Sequence, residues 1–260
     1  MAQASEIRSA LTGFPGEVRQ EVPLAPMTHV RIGGPAAFLL APKTAQGVCQ
    51  AVELARSLAV PLQVIGGGSN LLVGDAGVSG LTLSLANLNR VTRDGERITA
   101  EAGASLPALI RSTKDLGLAG LELLIGIPAQ VGGAVAMNAG TRDTDTFTHL
   151  HSLKVVDEHG VLQELERDAM RPRYRDGGLG ASIVVEATFA LTPDDPRAIF
   201  DRLETSLKRR NATQPVSERS VGCVFRNPDG VAAAQLIEDA GCKMLSRGAV
   251  RVSGKHANYF

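Results

Sequence analysis

The chain has 260 residues, 27 basic and 27 acidic side chains, and no formal net charge. A hydrophobic fraction of 44% and a charged fraction of 21% suit a soluble globular chain of one large domain or two modest ones. This excludes nucleic acid and membranes as expected partners: no charge block stands out, and no apolar stretch nears the roughly 20 residues of a spanning helix.

The first 18 residues lack the apolar core and cleavage site of an export signal, and the segment 1–23 reads as an extension that is loose at its start. AAFLLAP (36–42) reads as a strand. The stretch after it places Val48, Ala51, Val52, Ala55 and Leu58 at helical spacing, and PLQVIG (61–66) returns as a strand. Further strands are predicted at 81–85, 97–103, 153–160, 161–166 and 182–191. Ser105 is suited to cap a helix through Leu106, Leu109 and Ile110 to Leu116, with Gly117 as its stop. TPDDP (192–196) marks a boundary. Asp195 and Pro196 begin a helix that turns Ile199, Leu203 and Leu207 inward and ends in Lys208, Arg209 and Arg210, a basic end that suits the helix dipole. VAAAQLIEDA (231–240) is a last helix, stopped by Gly241. The fold class is α+β, with a domain over 24–193 and a smaller one over 194–260.

Two segments interrupt this pattern. VIGGGSNLLV (64–73) and IGIPAQVGGAVAMNAG (125–140) are strand-like apolar runs that break into glycine. Either alone is read equally well as a tight turn. Together, with Asn70 and Asn138 in the turns, they suggest backbone N–H groups cradling a large phosphate-bearing ligand such as a dinucleotide. The common alternatives fail. No G-x-x-x-x-G-K-[ST] occurs, GGGSN leads into LLV rather than a helical turn, and no G-x-S-x-G elbow exists. His149 and His151 have no carboxylate or cysteine companion, so no metal is expected. The cysteines Cys49, Cys223 and Cys242 are too few and scattered for a disulfide scaffold, which fits a reducing cytoplasm.

GGGSNLL, GIPAQVGGAVAMNAG, Tyr174-Arg175, SVGCVFRNP and HANYF follow in this order. In that order and at those intervals the chain resembles the MurB family of UDP-N-acetylenolpyruvoylglucosamine reductases over residues 24–260. It resembles the subgroup lacking an extra tyrosine-bearing loop. The resemblance implies a cytoplasmic, monomeric flavoenzyme of peptidoglycan precursor synthesis. Its 24–193 domain would bind FAD non-covalently and its 194–260 domain would close over UDP-N-acetylglucosamine enolpyruvate, with NADPH as electron donor. Family members continue past HANYF with a helix and a strand bearing a catalytic glutamate. No residue here inherits that role, so the resemblance implies a C-terminally truncated smaller domain. The alternatives are an impaired or non-catalytic FAD-binding remnant and another flavin oxidoreductase of similar fold. Many of the latter attach FAD through a histidine near the first glycine turn, and 64–73 holds none.

The resemblance assigns the FAD pyrophosphate to Gly66, Gly67, Gly68, Ser69 and Asn70, with Leu71 and Gly103 nearby. It lines the flavin and the rest of the dinucleotide with Ile127, Ala129, Gly132, Gly133, Asn138, Ala139 and Gly140. Arg31 is read equally as a cofactor contact or a surface cation. Reducing a vinyl ether attached to a carboxylate needs a cation on the carboxylate and an acid for the neighbouring carbon. Arg175 matches the family's catalytic arginine, although its residues alone would pair it with Asp176. Cys223 stands where the family carries its proton donor, usually serine. By itself a free cysteine is more often a small buried hydrophobe. Tyr174, Gln214, Arg226, Asn227, His256 and Asn258 are the substrate-side candidates.

Overall fold

The protein is described here from a computed structural model covering residues 2–220 and 222–260. It opens with helix α1 (Ala2–Ala10) and strand β1 (Gly16–Pro23), followed by β2 (Pro35–Pro42), α2 (Ala45–Ser57), β3 (Leu62–Ile65) and β4 (Val78–Ser84). Next come β5 (Val91–Asp94), β6 (Arg97–Glu101), α3 (Leu106–Asp115), β7 (Leu118–Ala119) and α4 (Val131–Ala136). The chain continues through β8 (Leu150–Val156), β9 (Leu162–Glu166), β10 (Ile183–Ala190), β11 (Thr192–Pro193) and the long α5 (Pro196–Thr213). It ends with α6 (Ala233–Asp239), β12 (Ser246–Arg247) and β13 (Val250–Arg251).

Two sheets carry the larger part. The first runs β1-β2-β4-β3, with β1 antiparallel to β2 and the others parallel. β2 and β3 run parallel on either side of β4, which needs a crossover, and α2 supplies it. Thr44 caps α2 by accepting from the Gly47 N–H. Val48, Ala51, Val52 and Ala55 then bury against Phe38, Leu40, Leu81 and Leu83 of the sheet. The second sheet, β5-β6-β10-β8-β9, is antiparallel throughout. Ile98, Leu153 and Phe189 face its core, joined by Leu106, Leu109 and Ile110 of α3 and Val131 and Val135 of α4. Full burial of each such side chain contributes about 1.5–3 kcal/mol. Val156, Ile183 and Val185 of the second sheet reach the core under the first, so the two layers share one interior.

Several expectations are corrected. Residues 2–10 are helical, and α1 with the turn after it buries Ile7 and Leu11. The segment set apart as an extension supplies β1, paired with β2 through Val18 and Leu40, so the first sheet starts before residue 24. The second glycine run is not strand-like: 131–136 is a short helix, because Val131, Ala134 and Val135 recur at helical spacing and are buried. The expected helix at 194–213 forms, with Asp195 accepting from the Arg197 and Ala198 N–H groups. Its Leu203 and Leu207 pack into the second-sheet core, so residue 194 does not separate two cores. Beyond residue 213 few side chains are buried, Ala233, Ala257, Asn258 and Tyr259 among them. Val221 of the SVGCVFRNP motif lies outside the described residues.

Candidate functional site

The first glycine turn leaves the end of β3 and meets the second across a narrow gap. A Cβ on Gly66 would lie 3.3 Å from Gln130 Oε1, whereas one on Gly67 would meet nothing nearer than 3.8 Å. Gly68 has φ of +66° and packs so closely that a Cβ there would lie 2.0 Å from the Met27 carbonyl oxygen. Among the described hydrogen bonds, the N–H groups of Gly67, Gly68, Ser69 and Asn70 donate to no protein acceptor. Four successive free donors around a left-handed residue form a nest that suits a diphosphate. Leu71 follows, exposed. Arg31 (φ of +63°) folds back so that a guanidinium N–H donates to the Pro26 carbonyl. It borders a cleft of about 390 Å³ with Gly67, His29, Glu218 and Arg219.

Gly103 is buried against the carbonyls of Leu85 and Leu88, so its lack of a side chain serves packing. In the second run, the Val131 and Gly132 N–H groups donate to Ala104 and Ala102 carbonyls and tie α4 to the end of β6. Ile127, Ala129 and Ala139 pack half-buried on the second core. Gly133 is exposed with open space before it, and Gly140 abuts Asp145. Asn138 is buried at φ of +38°. Its amide NH₂ donates to Asp145 Oδ2 and the Arg173 carbonyl, while its Oδ1 is buried with no described partner. An orphaned acceptor costs roughly 1–3 kcal/mol unless a ligand donor meets it. The open nest and the orphaned amide oxygen fit a cofactor that carries both a diphosphate and a hydrogen-bonding ring system.

Arg175 extends from the loop between β9 and β10 with φ of +58°. Its two terminal nitrogens donate to the carbonyls of Asn138 at 3.4 Å and Gly140 at 2.9 Å. Its guanidinium stands 5.1 Å from the Tyr174 ring centroid, and Tyr174 is half exposed. The ion pair with Asp176 does not form; Asp176 accepts instead from the Gly178 N–H. Arg226 donates to the Arg175 carbonyl at 3.4 Å.

Cys223 comes to this place from the loop after α5. It forms an antiparallel bridge with Tyr259, so the two side chains share one face. The residue is exposed on one side, yet desolvation by its surroundings is the largest influence on its thiol and pushes the pKa up. The positive charge of Arg175, a hydrogen bond with Tyr259 and the charge of Arg210 pull the other way without reversing it. Tyr259 is pushed up to about 12, chiefly by burial and then by the neighbouring thiol.

The remaining candidates divide. Gln214 sits here, but its Oε1 accepts from the Tyr259 hydroxyl at 2.8 Å. Asn258 is buried and its amide is committed to the backbone of Phe225 in both directions. Asn227 Oδ1 accepts from the Ala233 N–H at the start of α6. His256 Nδ1 accepts from the Asn258 N–H, and desolvation lowers its pKa. Asn258 and Asn227 therefore brace the loops that carry Cys223 and Arg226. Arg210, read from sequence as a complement to the helix dipole, was missed as a site residue. Its side chain packs on Gly126 beside Cys223 and Tyr259, and its buried Nε has no described partner. Among the described ion pairs none involves Arg175, Arg210 or Arg226, so these guanidinium groups keep positive charge that suits an anionic ligand. No group of three or more metal-ligating side chains, and no helix long and apolar enough to cross a membrane, occurs among the described residues.

A family model described as FAD binding domain matches residues 36–166. A second, described as the C-terminal domain of UDP-N-acetylenolpyruvoylglucosamine reductase, matches residues 214–260. The UDP-N-acetylenolpyruvoylglucosamine reductase of Alkalilimnicola ehrlichii is 42% identical over 249 residues, 94% of this chain and 83% of that protein. That of Limosilactobacillus fermentum is 38% identical over 257 residues, 98% of this chain and 86% of that protein. Among solved structures, UDP-N-acetylenolpyruvylglucosamine reductase (MurB) from Thermus caldophilus superposes with a TM-score of 0.82 at 34% identity, covering 94% of this chain and 86% of that one.

Proposed function

The chain belongs to the UDP-N-acetylenolpyruvoylglucosamine reductase family, and we propose that it reduces the enolpyruvyl ether of UDP-N-acetylglucosamine enolpyruvate to UDP-N-acetylmuramate, with NADPH as hydride source. It is an FAD-dependent oxidoreductase; FAD, when bound, would supply the hydride chemistry for the enolpyruvyl group. The free N–H groups of Gly67 to Asn70 would hold the FAD diphosphate, and Asn138 Oδ1 would accept from its ring system.

This chain's own residues do the rest. As hydride reaches the terminal carbon, negative charge builds on the adjacent carbon and spreads into the carboxylate. Arg175 has five N–H donors and commits two to backbone carbonyls, which leaves the others for that carboxylate. Because its guanidinium is held before the charge develops, it is worth about 3 kcal/mol in the transition state. Cys223 gives its proton to the adjacent carbon, and its raised pKa keeps that proton in place at neutral pH. Arg226, Arg210 and Tyr174 offer charge and a ring to the nucleotide part of the substrate.

The observation that supports this reading is a guanidinium fastened to the second glycine run, with a cysteine near it whose thiol desolvation pushes to higher pKa. The test is anaerobic and separates two half-reactions. Cys223→Ala should leave NADPH-driven bleaching of the flavin nearly intact and slow its recovery on adding the enolpyruvyl sugar by 100-fold or more, as about 10²–10⁴ is typical for a positioned acid. Recovery at the wild-type rate would remove Cys223 from the mechanism. A chain that takes up no FAD would overturn the reading altogether.

A further inference from the structure

Tyr259 takes no part in the hydride and proton transfers proposed above, yet it is buried and bridged to Cys223. Its hydroxyl donates to Gln214 Oε1 at 2.8 Å, and Cys223 is the residue its own backbone bridges. The backbone bridge between Cys223 and Tyr259 holds the two side chains on one face. The Ser253 N–H donates to the Tyr259 carbonyl, the Tyr259 N–H donates to the His256 carbonyl, and the His256 ring meets the Tyr259 ring edge-on at 4.8 Å. The ring is thus held at its backbone and its edge, with an amide oxygen bound to its hydroxyl and the Cys223 side chain on the same face.

We propose that Tyr259 is a positioning residue for the Cys223 proton, its hydroxyl shared between Gln214 Oε1 while the thiol is intact and the Cys223 sulfur once the thiol has given its proton away. This rests on the reading of Cys223 as the proton donor. In the step itself the S–H bond breaks, its proton bonds to the substrate carbon, and the electron pair stays on sulfur. The thiolate then accepts a hydrogen bond from the Tyr259 hydroxyl while Arg175 and Arg210 stabilise it by charge. Water at the exposed side of Cys223 returns the proton. Gln214 keeps the phenol from binding the sulfur too early, which would acidify the thiol before substrate is reduced.

The two partners therefore act on the thiol in opposite directions. In Tyr259→Phe the ring and its packing remain but the donor is gone. In Gln214→Leu the competing acceptor is gone and the phenol is free to serve sulfur alone. The pH dependence of iodoacetamide alkylation of Cys223 reads this without any turnover. A Cys242→Ser background removes the other partly accessible thiol, and Cys49 is buried. Against that background, Tyr259→Phe should move the alkylation profile to higher pH and Gln214→Leu to lower pH. In the FAD-loaded full chain, Tyr259→Phe should leave flavin reduction by NADPH unchanged and slow reoxidation by the enolpyruvyl sugar about tenfold, the scale of one hydrogen bond to a charged group.

Unchanged alkylation profiles in both variants, or shifts of the same sign, overturn the proposal even if Cys223→Ala is slow. If Cys223→Ala itself reoxidises at the wild-type rate, the reading of Cys223 fails first and this proposal with it. If Tyr259→Phe does not fold, the Gln214→Leu profile decides alone: a shift to lower pH supports the shared hydroxyl, and no shift rejects it.

Discussion

Cys223 keeps its proton at pH values where a free thiol, with a pKa near 8.5, begins to lose it. The sign follows from the cause. Desolvation penalises the thiolate more than Arg175, Tyr259 and Arg210 favour it, so the protonated acid persists to higher pH. The rate of flavin reoxidation by substrate should accordingly hold steady through neutrality and fall only above about pH 8.5. In Cys223→Ser the group at this position no longer titrates in the accessible range, so that alkaline fall should vanish while activity is retained. A wild-type profile that falls near pH 7, or a serine variant with the same alkaline limb, would contradict the thiol's assignment. Motif order alone pointed to Arg175 and Cys223; the structure ties Arg175 to the second glycine run and pairs the Cys223 backbone with Tyr259. Arg210 and Tyr259 were illegible as site residues because their contacts are made across the fold. One closes a helix whose basic end already had a reason to exist, and the other stands in HANYF with no distinguishing neighbour.

At the scale of elements, two features hold the site in shape. The first is α5, which carries the chain from the second core to the Cys223 loop. Arg202 on that helix bridges the buried carboxylate of Glu122 at 2.8 Å and that of Asp194 at 2.7 Å, and Glu122 also accepts from the Gly120 N–H. Arg202→Met would leave Glu122 buried with one donor. Losing a partner from a fully buried pair costs 3–5 kcal/mol, and the 40% exposure of Arg202 lowers this to about 2 kcal/mol. Urea unfolding should show that loss, and a variant as stable as wild type would mean solvent already screens the pair. The second feature is the turn at Gly68. Alanine there would add the strain of a left-handed residue, about 1–2 kcal/mol, and drive a Cβ into the Met27 carbonyl. Gly68→Ala should purify with little or no FAD; full occupancy would deny the turn its role. The strand–helix–strand unit at 36–66 was legible because periodicity and caps agree. The stretch 131–136 was not, since six residues are too few for period to separate a buried helix from a strand. Nor was β1, whose GEVRQEVP is mostly polar and earns its place only by pairing with β2.

Across the whole molecule, the two sheets share an interior while the two glycine runs face one another across their junction. The ligand nest is therefore formed only when both layers and the 26–31 loop are folded together. An unfolded chain offers no such set of converging N–H groups, so a ligand of the nest must stabilise the native state by mass action. At a free concentration 100 times its dissociation constant, FAD should add about 2.7 kcal/mol. For a chain of this size that corresponds to a rise in melting temperature of about 5–10 °C. ADP carries the diphosphate without the isoalloxazine and should reproduce part of the rise through Gly67 to Asn70. Riboflavin carries the ring without the diphosphate and should give less. His29 is the histidine whose backbone meets this turn, through its N–H to the Gly68 carbonyl, and nothing in that contact fastens a flavin ring. Acid precipitation of the holoprotein should accordingly leave all the yellow colour in the supernatant. If colour stays with the pellet, the flavin is covalently attached; if ADP has no effect while riboflavin matches FAD, the diphosphate is held somewhere other than the turn between β3 and β4.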